Sequence, residues 1–481
     1  MNFSMIRLIL SWVLRFAGIF MLLPCLVAIY YRESQGLAYL ITGLCVLVVG
    51  YLMGLKKVKN RTFYAKEGFV TVAMCWILIS VLGAIPFYVT GEIPVLIDAL
   101  FESVSGFSTT GASILTDIEA LSYTSLFWRS FTHWIGGMGI LVFIMAILPL
   151  AGGYNMHLMR AEMPGPTVGK MMPKIKRTAI TLYLMYVVMT VIEIVVLLIA
   201  KVPAYEALNL AFTTAGTGGF AIFNDSVLSY SPGVQNILTV FMLMFGVNFN
   251  VYFLLVILRK PLWGLKNEEV RYYLLIYVGA VVLICANVYR MFAGAADALH
   301  HTTFNVAAIM TSTGLTTVDY CQWPMFSQII LLLLGFVGGC AGSTAGGIKV
   351  VRVLMILKLA KNEMSFMTHP RRVRAIRFDG RVQTKETVRS IQAYIIVYIC
   401  IMVASLLVVS LNQLDFATTF SAVAASLNNT GPGIGLIGPT GNYAIFSPLS
   451  KVVLMLDMLA GRLELFPLLM LFWPATWRKW K

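Results

Sequence analysis

Long apolar runs alternate with shorter stretches rich in small residues along this chain. Runs of about 20 apolar residues suit a membrane-spanning helix, whereas runs of about 10–14 are more typical of re-entrant or interfacial segments. The predicted spans are 8–30, 37–55, 68–90, 127–149, 179–200, 234–258, 272–293, 327–357, 390–411 and 447–473. The short stretches are 97–111, 205–219, 298–315 and 415–433. The pattern predicts an all-α polytopic membrane protein with four short helical insertions.

Composition agrees with this interpretation. Of the 481 residues 59% are hydrophobic and 12% are charged, against about 45–50% and 25% in average soluble proteins. The seven cysteines form no paired or histidine-associated spacing, which excludes a disulfide scaffold and the usual zinc sites. We expect no bound cofactor. We interpret 8–30 as a retained span rather than a cleaved signal peptide.

The basic residues indicate how the chain crosses the membrane. The connections 56–66, 150–178, 259–271, 358–389 and 478–481 carry 26 of the 36 Lys and Arg residues. Ten spans put all five connections on one side, and the positive-inside rule makes that side cytoplasmic. We therefore predict that both termini are cytoplasmic and that the four insertions lie outside. The net charge of +15 is explained by topology and by attraction to anionic lipid, without nucleic acid.

An internal repeat organises the chain. Each insertion is a helix-like segment that opens near an acid and ends in a glycine-centred polar cluster. A long span precedes and follows it, so the unit is an outer helix, a short pore helix, a loop and an inner helix. The predicted units are 67–178, 179–271, 272–389 and 390–481, after a two-helix N-terminal addition, 1–66.

Four such loops on one side predict a shared pore around a pseudo-fourfold axis. Irregular backbone at membrane depth must be buried by protein or line a water-filled cavity. A ring of backbone carbonyls can replace the hydration shell of a monovalent cation such as K⁺. Ordinary turns are the alternative, which repetition makes less favourable. The predicted filter residues are Thr109, Thr110, Gly111, Gly216, Thr217, Gly218, Ser312, Thr313, Gly314, Asn429, Thr430 and Gly431, with a Thr before each key glycine.

Two features predict a gate below this filter. The segment 338–347 holds five glycines inside an apolar run, and each glycine costs about 1 kcal/mol against alanine in a helix. A charge at the bilayer centre is costly, so Arg462 should turn inward. The alternatives are close helix packing for the glycines and a structural salt bridge with Asp457 or Glu464 for Arg462. The predicted gate residues are Gly338, Gly339, Gly342, Ser343, Thr344, Gly346, Gly347, Lys349 and Arg462.

Several motifs match a known family. They span residues 103–112, 160–166, 338–349, 428–433 and 461–464. Through them the chain resembles the TrkH family, the potassium-translocating membrane subunits of bacterial Trk systems, in the Trk/Ktr/HKT superfamily. The resemblance implies an inner-membrane homodimer with one pore per subunit and an intramembrane gating loop. It also implies regulation by a cytosolic nucleotide-binding protein of the TrkA type.

Ion preference follows from the same resemblance. In this family, glycine at the key position of all four loops accompanies potassium preference, and we assign those positions to Gly111, Gly218, Gly314 and Gly431. The second loop departs from the family pattern, because Gly216-Thr217 stands where Ala-Ile is usual.

Three functional classes remain in competition. A gated potassium-conducting subunit is favoured, and the basic segment 358–389 suits docking of an acidic cytosolic partner. The alternative is a symporter that couples potassium to protons or sodium by alternating access at a midplane site. A membrane enzyme would need clustered catalytic acids or histidines in the spans, and the sequence has none.

Overall fold

The computed structural model describes residues 1–56, 58, 64–139, 175–257, 267–369 and 375–478. In this part of the chain regular structure is almost entirely helical, as predicted. The first helices are α1 (Phe3–Phe20), α2 (Leu23–Tyr31) and α3 (Gly36–Leu55). Helices α1 and α3 approach closely because glycines meet at their contact. A Cβ on Gly50, for example, would come within 3.0 Å of the backbone of α1.

Four helical units follow, and each contains a short helix of 12–16 residues. The first unit is α4 (Ala65–Val89), α5 (Leu96–Phe107) and α6 (Tyr123–Met138). The second is α7 (Ile175–Ile199), α8 (Ala204–Gly216), α9 (Pro232–Phe245) and α10 (Phe249–Tyr252), continued by the π-helix Phe253–Ile257.

The third unit is α11 (Glu268–Val288), α12 (Ala295–Met310), α13 (Met325–Val337) and α14 (Val350–Thr368). A hairpin of β1 (Arg377–Phe378) and β2 (Arg381–Val382) comes next, paired antiparallel with Arg377 opposite Val382. The fourth unit is α15 (Lys385–Val409), α16 (Phe416–Asn428), α17 (Pro448–Arg462) and α18 (Phe466–Phe472), before the terminal turn α19 (Pro474–Trp477).

The short helices begin as the sequence predicts. Asp98, Glu206 and Asp297 lie in the first turns of α5, α8 and α12. Asp415 caps α16 by accepting a hydrogen bond of 2.9 Å from the Thr418 N–H. Hydrogen bonds from Thr418 lower the pKa of the Asp415 carboxyl. Acids at these positions complement the positive end of the helix dipole.

The units close into a cycle. Inner helix α6 packs on short helix α8 of the next unit, α9 packs on α12, α13 packs on α16, and α17 returns to α5. Large apolar side chains remain exposed on the outer helices, including Val282 at 60% and Leu407 at 68%. A broad exposed apolar surface is typical of a lipid-facing protein. The predicted all-α polytopic membrane fold is therefore confirmed.

The prediction of ten long spanning helices needs correction, apart from the break expected at 338–347. By length and composition, the described residues contain six helices able to cross a membrane, plus one pair bent by 92° between Phe245 and Phe249. The predicted span 234–258 is this bent pair, 327–357 is broken between α13 and α14, and 447–473 is broken between α17 and α18. The predicted span 127–149 is represented by α6, which ends at Met138. Residues 140–149 and the motif 160–166 lie outside the described residues.

Candidate functional site

A single backbone conformation recurs in the four loops that follow the short helices. One residue in each adopts a left-handed conformation: Thr109, Thr217, Ser312 and Asn429, with φ of 57°, 53°, 56° and 54°. Two residues later a glycine has positive φ: Gly111, Gly219, Gly314 and Gly431, with φ of 76°, 84°, 75° and 87°. Only glycine occupies this region without steric cost. The loops are 108–112, 216–220, 311–315 and 428–432, here the first to fourth loops.

The register predicted for the second loop is wrong by one residue. Gly219, not Gly218, has the conformation of the other three key glycines. Gly218 instead matches Thr110, Thr313 and Thr430, whose N–H groups donate to the carbonyl five residues earlier at 2.8–2.9 Å, as that of Gly218 does to Thr213. The expectation of a Thr before every key glycine therefore fails here. Gly216 ends α8 rather than belonging to the turn.

The four loops meet in a closed ring. A Cβ added to Gly111 would meet the carbonyl oxygen of Gly218. The same relation joins each loop to the next: Gly219 to Thr313, Gly314 to Thr430, and Gly431 back to Thr110. The four carbonyls thus come from equivalent positions, and each is packed against a glycine of its neighbour. The ring leaves no room for a side chain at the key positions.

Side chains behind the ring fix these loops. The Thr110 hydroxyl lies 2.7 Å from the Ser108 hydroxyl and accepts a hydrogen bond of 2.9 Å from the Asn429 amide, which joins the first and fourth loops. The Tyr443 hydroxyl donates to the Gly431 carbonyl at 2.7 Å. All predicted Thr, Ser and Asn side chains of the loops are buried. These buried, hydrogen-bonded side chains hold the loop backbone in a fixed arrangement, which a preorganised ion site requires.

The glycine-rich segment 338–347 lies against this ring. The Gly347 N–H donates to the Asn428 carbonyl at 2.9 Å, and the Gly346 N–H donates to the hydroxyl of Ser312. A Cβ on Gly346 would overlap the Asn428 carbonyl. The segment is irregular, as predicted, and Gly338, Gly342 and Gly347 have φ of 70°, 73° and 78°. Close helix packing alone does not describe it.

The bend between α9 and α10 holds the other side of the segment. The Cys340 N–H donates to the Gly246 carbonyl at 2.9 Å, and the Phe249 N–H donates to the Gly342 carbonyl at 3.0 Å. Thr344 donates to the Phe245 carbonyl through both its N–H and its hydroxyl. Gly339 lies close to the same bend: a Cβ added to it would be 3.1 Å from the Gly246 carbonyl oxygen. The Ser343 hydroxyl donates to the Cys340 carbonyl at 2.7 Å.

Two buried charges at the C-terminal side keep the segment folded. Lys349 is left-handed with φ of 84°, and its ammonium donates to the carbonyls of Ala345 and Gly346. The Glu269 carboxylate, on α11, accepts hydrogen bonds from the Ala341 N–H at 2.6 Å and the Val351 N–H at 3.3 Å. One carboxylate therefore ties the segment to the start of α14.

Arg462 joins this segment to the opposite side of the ring. Its guanidinium donates to the Thr344 carbonyl at 3.0 Å and to the carbonyls of Gly136 and Gly137 at the end of α6. It also lies 5.8 Å from the centroid of the Trp76 ring, within the range of a cation–π contact. Of the two acids considered as its partners, Glu464 pairs with Arg352 and Asp457 accepts from the Ser405 hydroxyl.

Several polar residues at this site were not predicted. Glu269 supports the glycine-rich segment, and α6 presents Arg129 and His133 to the second loop. Arg129 pairs with Glu102 at 2.7 Å, both fully buried. The sequence does contain a signal for them: ionisable residues inside apolar runs are rare and are usually paired inside the protein. Within the described residues, no cluster of His, Cys, Asp and Glu is arranged to hold a metal ion.

Comparisons with known proteins agree with this geometry. The family model TrkH, a cation transport protein, matches residues 36–479. The Trk system potassium uptake protein TrkH of Salmonella typhimurium is 36% identical, with 98% of this chain and 99% of the relative covered. TrkG of Escherichia coli is 34% identical with 95% of each covered. The crystal structure of the potassium transporter TrkH from Vibrio parahaemolyticus superposes with a TM-score of 0.89 at 31% identity, covering 99% of this chain and 100% of that one.

Proposed function

The chain belongs to the TrkH family and is a multi-pass membrane component of a Trk potassium uptake system in the bacterial inner membrane, and we propose that the ring of four loops is its potassium filter. The carbonyls of Thr110, Gly218, Thr313 and Thr430 are the ring's equivalent oxygens. Neutral backbone oxygens in a ring suit a large monovalent cation.

The closed cycle of glycine–carbonyl contacts carries this proposal. Each loop rests on the next, so the ring has no open side among the described residues. Four similar units around one axis support a continuous pore more than the two-part architecture usual in alternating-access transporters.

The glycine-rich segment is the gate in this proposal. It bonds directly to the third and fourth loops, through Ser312 and Asn428. Its helix is interrupted, so the segment moves without unwinding an intact span. Arg462 adds a positive charge beside the path, bonded to Thr344. A cation at that depth opposes passage of K⁺ electrostatically.

A cytosolic partner of the TrkA type regulates this gate, and the membrane chain forms a homodimer with both termini cytoplasmic. The hairpin 377–382 lies within the basic segment 358–389 that suits docking, and it is bonded to the start of α11. The Asp379 carboxylate accepts from the Glu268 N–H at 2.6 Å, and the Asp379 N–H donates back to the Glu268 carboxylate at 3.1 Å. Glu269, the next residue, holds the glycine-rich segment. A force on the hairpin therefore reaches the gate through hydrogen bonds to Glu268 and from its neighbour Glu269.

Ion flux into liposomes tests this function. The purified protein should pass K⁺ and Rb⁺ well above Na⁺ and Li⁺, and Gly111→Ser should raise the Na⁺ flux relative to K⁺, because it disturbs one carbonyl contact of the ring. An unchanged ion order in Gly111→Ser would contradict the filter assignment. Potassium flux driven by an imposed pH gradient alone would favour proton symport instead.

A further inference from the structure

The second loop has fewer side chains to hold it than the other three. It contains Gly216, Gly218 and Gly219, whereas the position of Gly218 is taken by threonine in the first, third and fourth loops. Glycine has the largest conformational freedom of all residues, so an unsupported run of glycines is a poor basis for a rigid ion site. Something outside this loop must hold its backbone.

The imidazole ring of His133 occupies the space of the missing side chain. A Cβ added to Gly218 has three nearest neighbouring atoms, and all three belong to this ring. The backbone of Gly218 does not require glycine, because its φ is not in the left-handed region. The ring of His133 is thus the steric reason for glycine at 218. Gly219, by contrast, needs its positive φ of 84°.

Hydrogen bonds give the same ring a defined orientation. His133 Nδ1 lies 2.7 Å from the Gly106 carbonyl oxygen, and the Phe220 N–H donates to His133 Nε2 at 3.2 Å. A carbonyl only accepts and a backbone N–H only donates, so both bonds require the neutral tautomer with hydrogen on Nδ1. The ring therefore links the end of α5 to the residue after Gly219.

Arg129 supports the same stretch of backbone from one helical turn away on α6. Its guanidinium donates to the Ala221 carbonyl at 3.1 Å and lies 4.1 Å from the centroid of the Phe220 ring. Residues four apart share one face of a helix, so α6 presents Arg129 and His133 together to the exit of the second loop. The ring of His133 also packs against that of Phe220, with centroids 4.2 Å apart and planes tilted by 33°.

We propose that His133 is a positioning residue for ion selectivity: its ring replaces the absent side chain at 218 and fixes the second loop of the filter. This inference rests on the proposed filter. It gives a role in selectivity to a residue that does not line the ring of loops. That residue lies on α6, the inner helix of the first unit, and acts on the loop of the second unit.

The test compares Na⁺ and K⁺ flux in liposomes for three variants. His133→Ala should raise the Na⁺/K⁺ flux ratio roughly fivefold to tenfold, equivalent to about 1–1.4 kcal/mol of lost discrimination. His133→Gln should stay within about twofold of the wild type, because an amide both donates and accepts. Leu238→Ala is the matched control: Leu238 is fully buried on inner helix α9 in an apolar cluster, so its loss should reduce protein yield and leave the ratio unchanged.

A compensating pair separates positioning from general stability. Gly218→Thr alone should reduce the yield of folded protein because the new side chain meets the ring of His133. Combined with His133→Ala, it should restore both the yield and the ratio, since threonine fits the equivalent positions of the other loops. An unchanged ratio in His133→Ala, or a double variant worse than either single one, would overturn the inference. If Gly111→Ser alters the ratio in the same assay, the filter proposal stands on its own; if neither variant alters it, both fail.

Discussion

Individual glycines in the ring differ in what they contribute. Gly219 has both a left-handed backbone and a neighbouring carbonyl, that of Thr313, where a Cβ would be. Gly91, in the turn after α4, has a similar φ of 76°, and among the described residues no atom beyond its chain neighbours lies within 4 Å of an added Cβ. The pair separates backbone strain from steric exclusion.

Gly219→Ala should therefore abolish selective potassium uptake, whereas Gly91→Ala should keep it. Both variants pay for the strained φ, at about 1 kcal/mol or more, but only the first forces two loops of the ring apart. The measurement is K⁺ uptake in cells that lack other potassium transport, normalised to the amount of membrane protein. Equal loss in both variants would mean that strain alone, and not the ring contact, limits this position.

Arg462 gives a second prediction at this scale. Arg462→Ala removes the bonds to Thr344, Gly136 and Gly137 together with the positive charge. Basal K⁺ flux should rise severalfold while the preference for K⁺ over Na⁺ is retained. Arg462→Lys keeps the charge but not the planar set of donors, so its basal K⁺ flux should lie between those of the wild type and Arg462→Ala. A lower flux at normal expression would show that Arg462 serves packing rather than closure.

The helices show what sequence pattern predicts well and what it misses. The break at 338–347 was foreseeable because five glycines interrupt an apolar run. The bend at Gly246 was not predicted, because one glycine and two nearby asparagines, Asn248 and Asn250, are a weak signal inside a long, mostly apolar run. That bend depends on tertiary contacts: the Gly246 carbonyl accepts from Cys340, and the Asn248 side chain caps α10. The one-residue error at Gly218 has a similar cause, since His133 is distant in sequence.

Adjacent acids on α11 allow a test of how the elements communicate. Glu269→Ala frees the Ala341 and Val351 N–H groups, and hydrogen bonds to a charged group contribute about 1.5–3 kcal/mol each. This variant should raise basal flux without any partner. Glu268→Ala instead removes the carboxylate's bonds to the Asp379 N–H and to Lys358, and leaves the backbone N–H that donates to Asp379. It should keep basal flux while weakening the response to the regulatory protein.

The readout is K⁺ flux in liposomes with and without that protein and adenine nucleotide. The same behaviour in both variants would contradict the separation of the two roles. A nucleotide response by the membrane chain alone would contradict the proposed regulation altogether.

At the scale of the whole molecule, the cyclic packing of four units explains why one chain can build a fourfold site. Each inner helix packs on the short helix of the next unit, and α17 closes the cycle on α5. The repeat, the approximate position of the loops and the membrane class follow from sequence because glycine clusters and apolar length are local signals. The order of contacts around the ring does not follow from sequence, because it depends on which carbonyl faces which glycine in the folded protein.

Diffraction from crystals grown in Rb⁺ tests the central claim most directly. Anomalous signal should appear on the axis of the ring, beside the carbonyls of Thr110, Gly218, Thr313 and Thr430, and should weaken when Na⁺ replaces Rb⁺. A ring without Rb⁺, with the ion bound instead by side chains at another depth of the membrane, would contradict the assignment of these loops as the potassium filter.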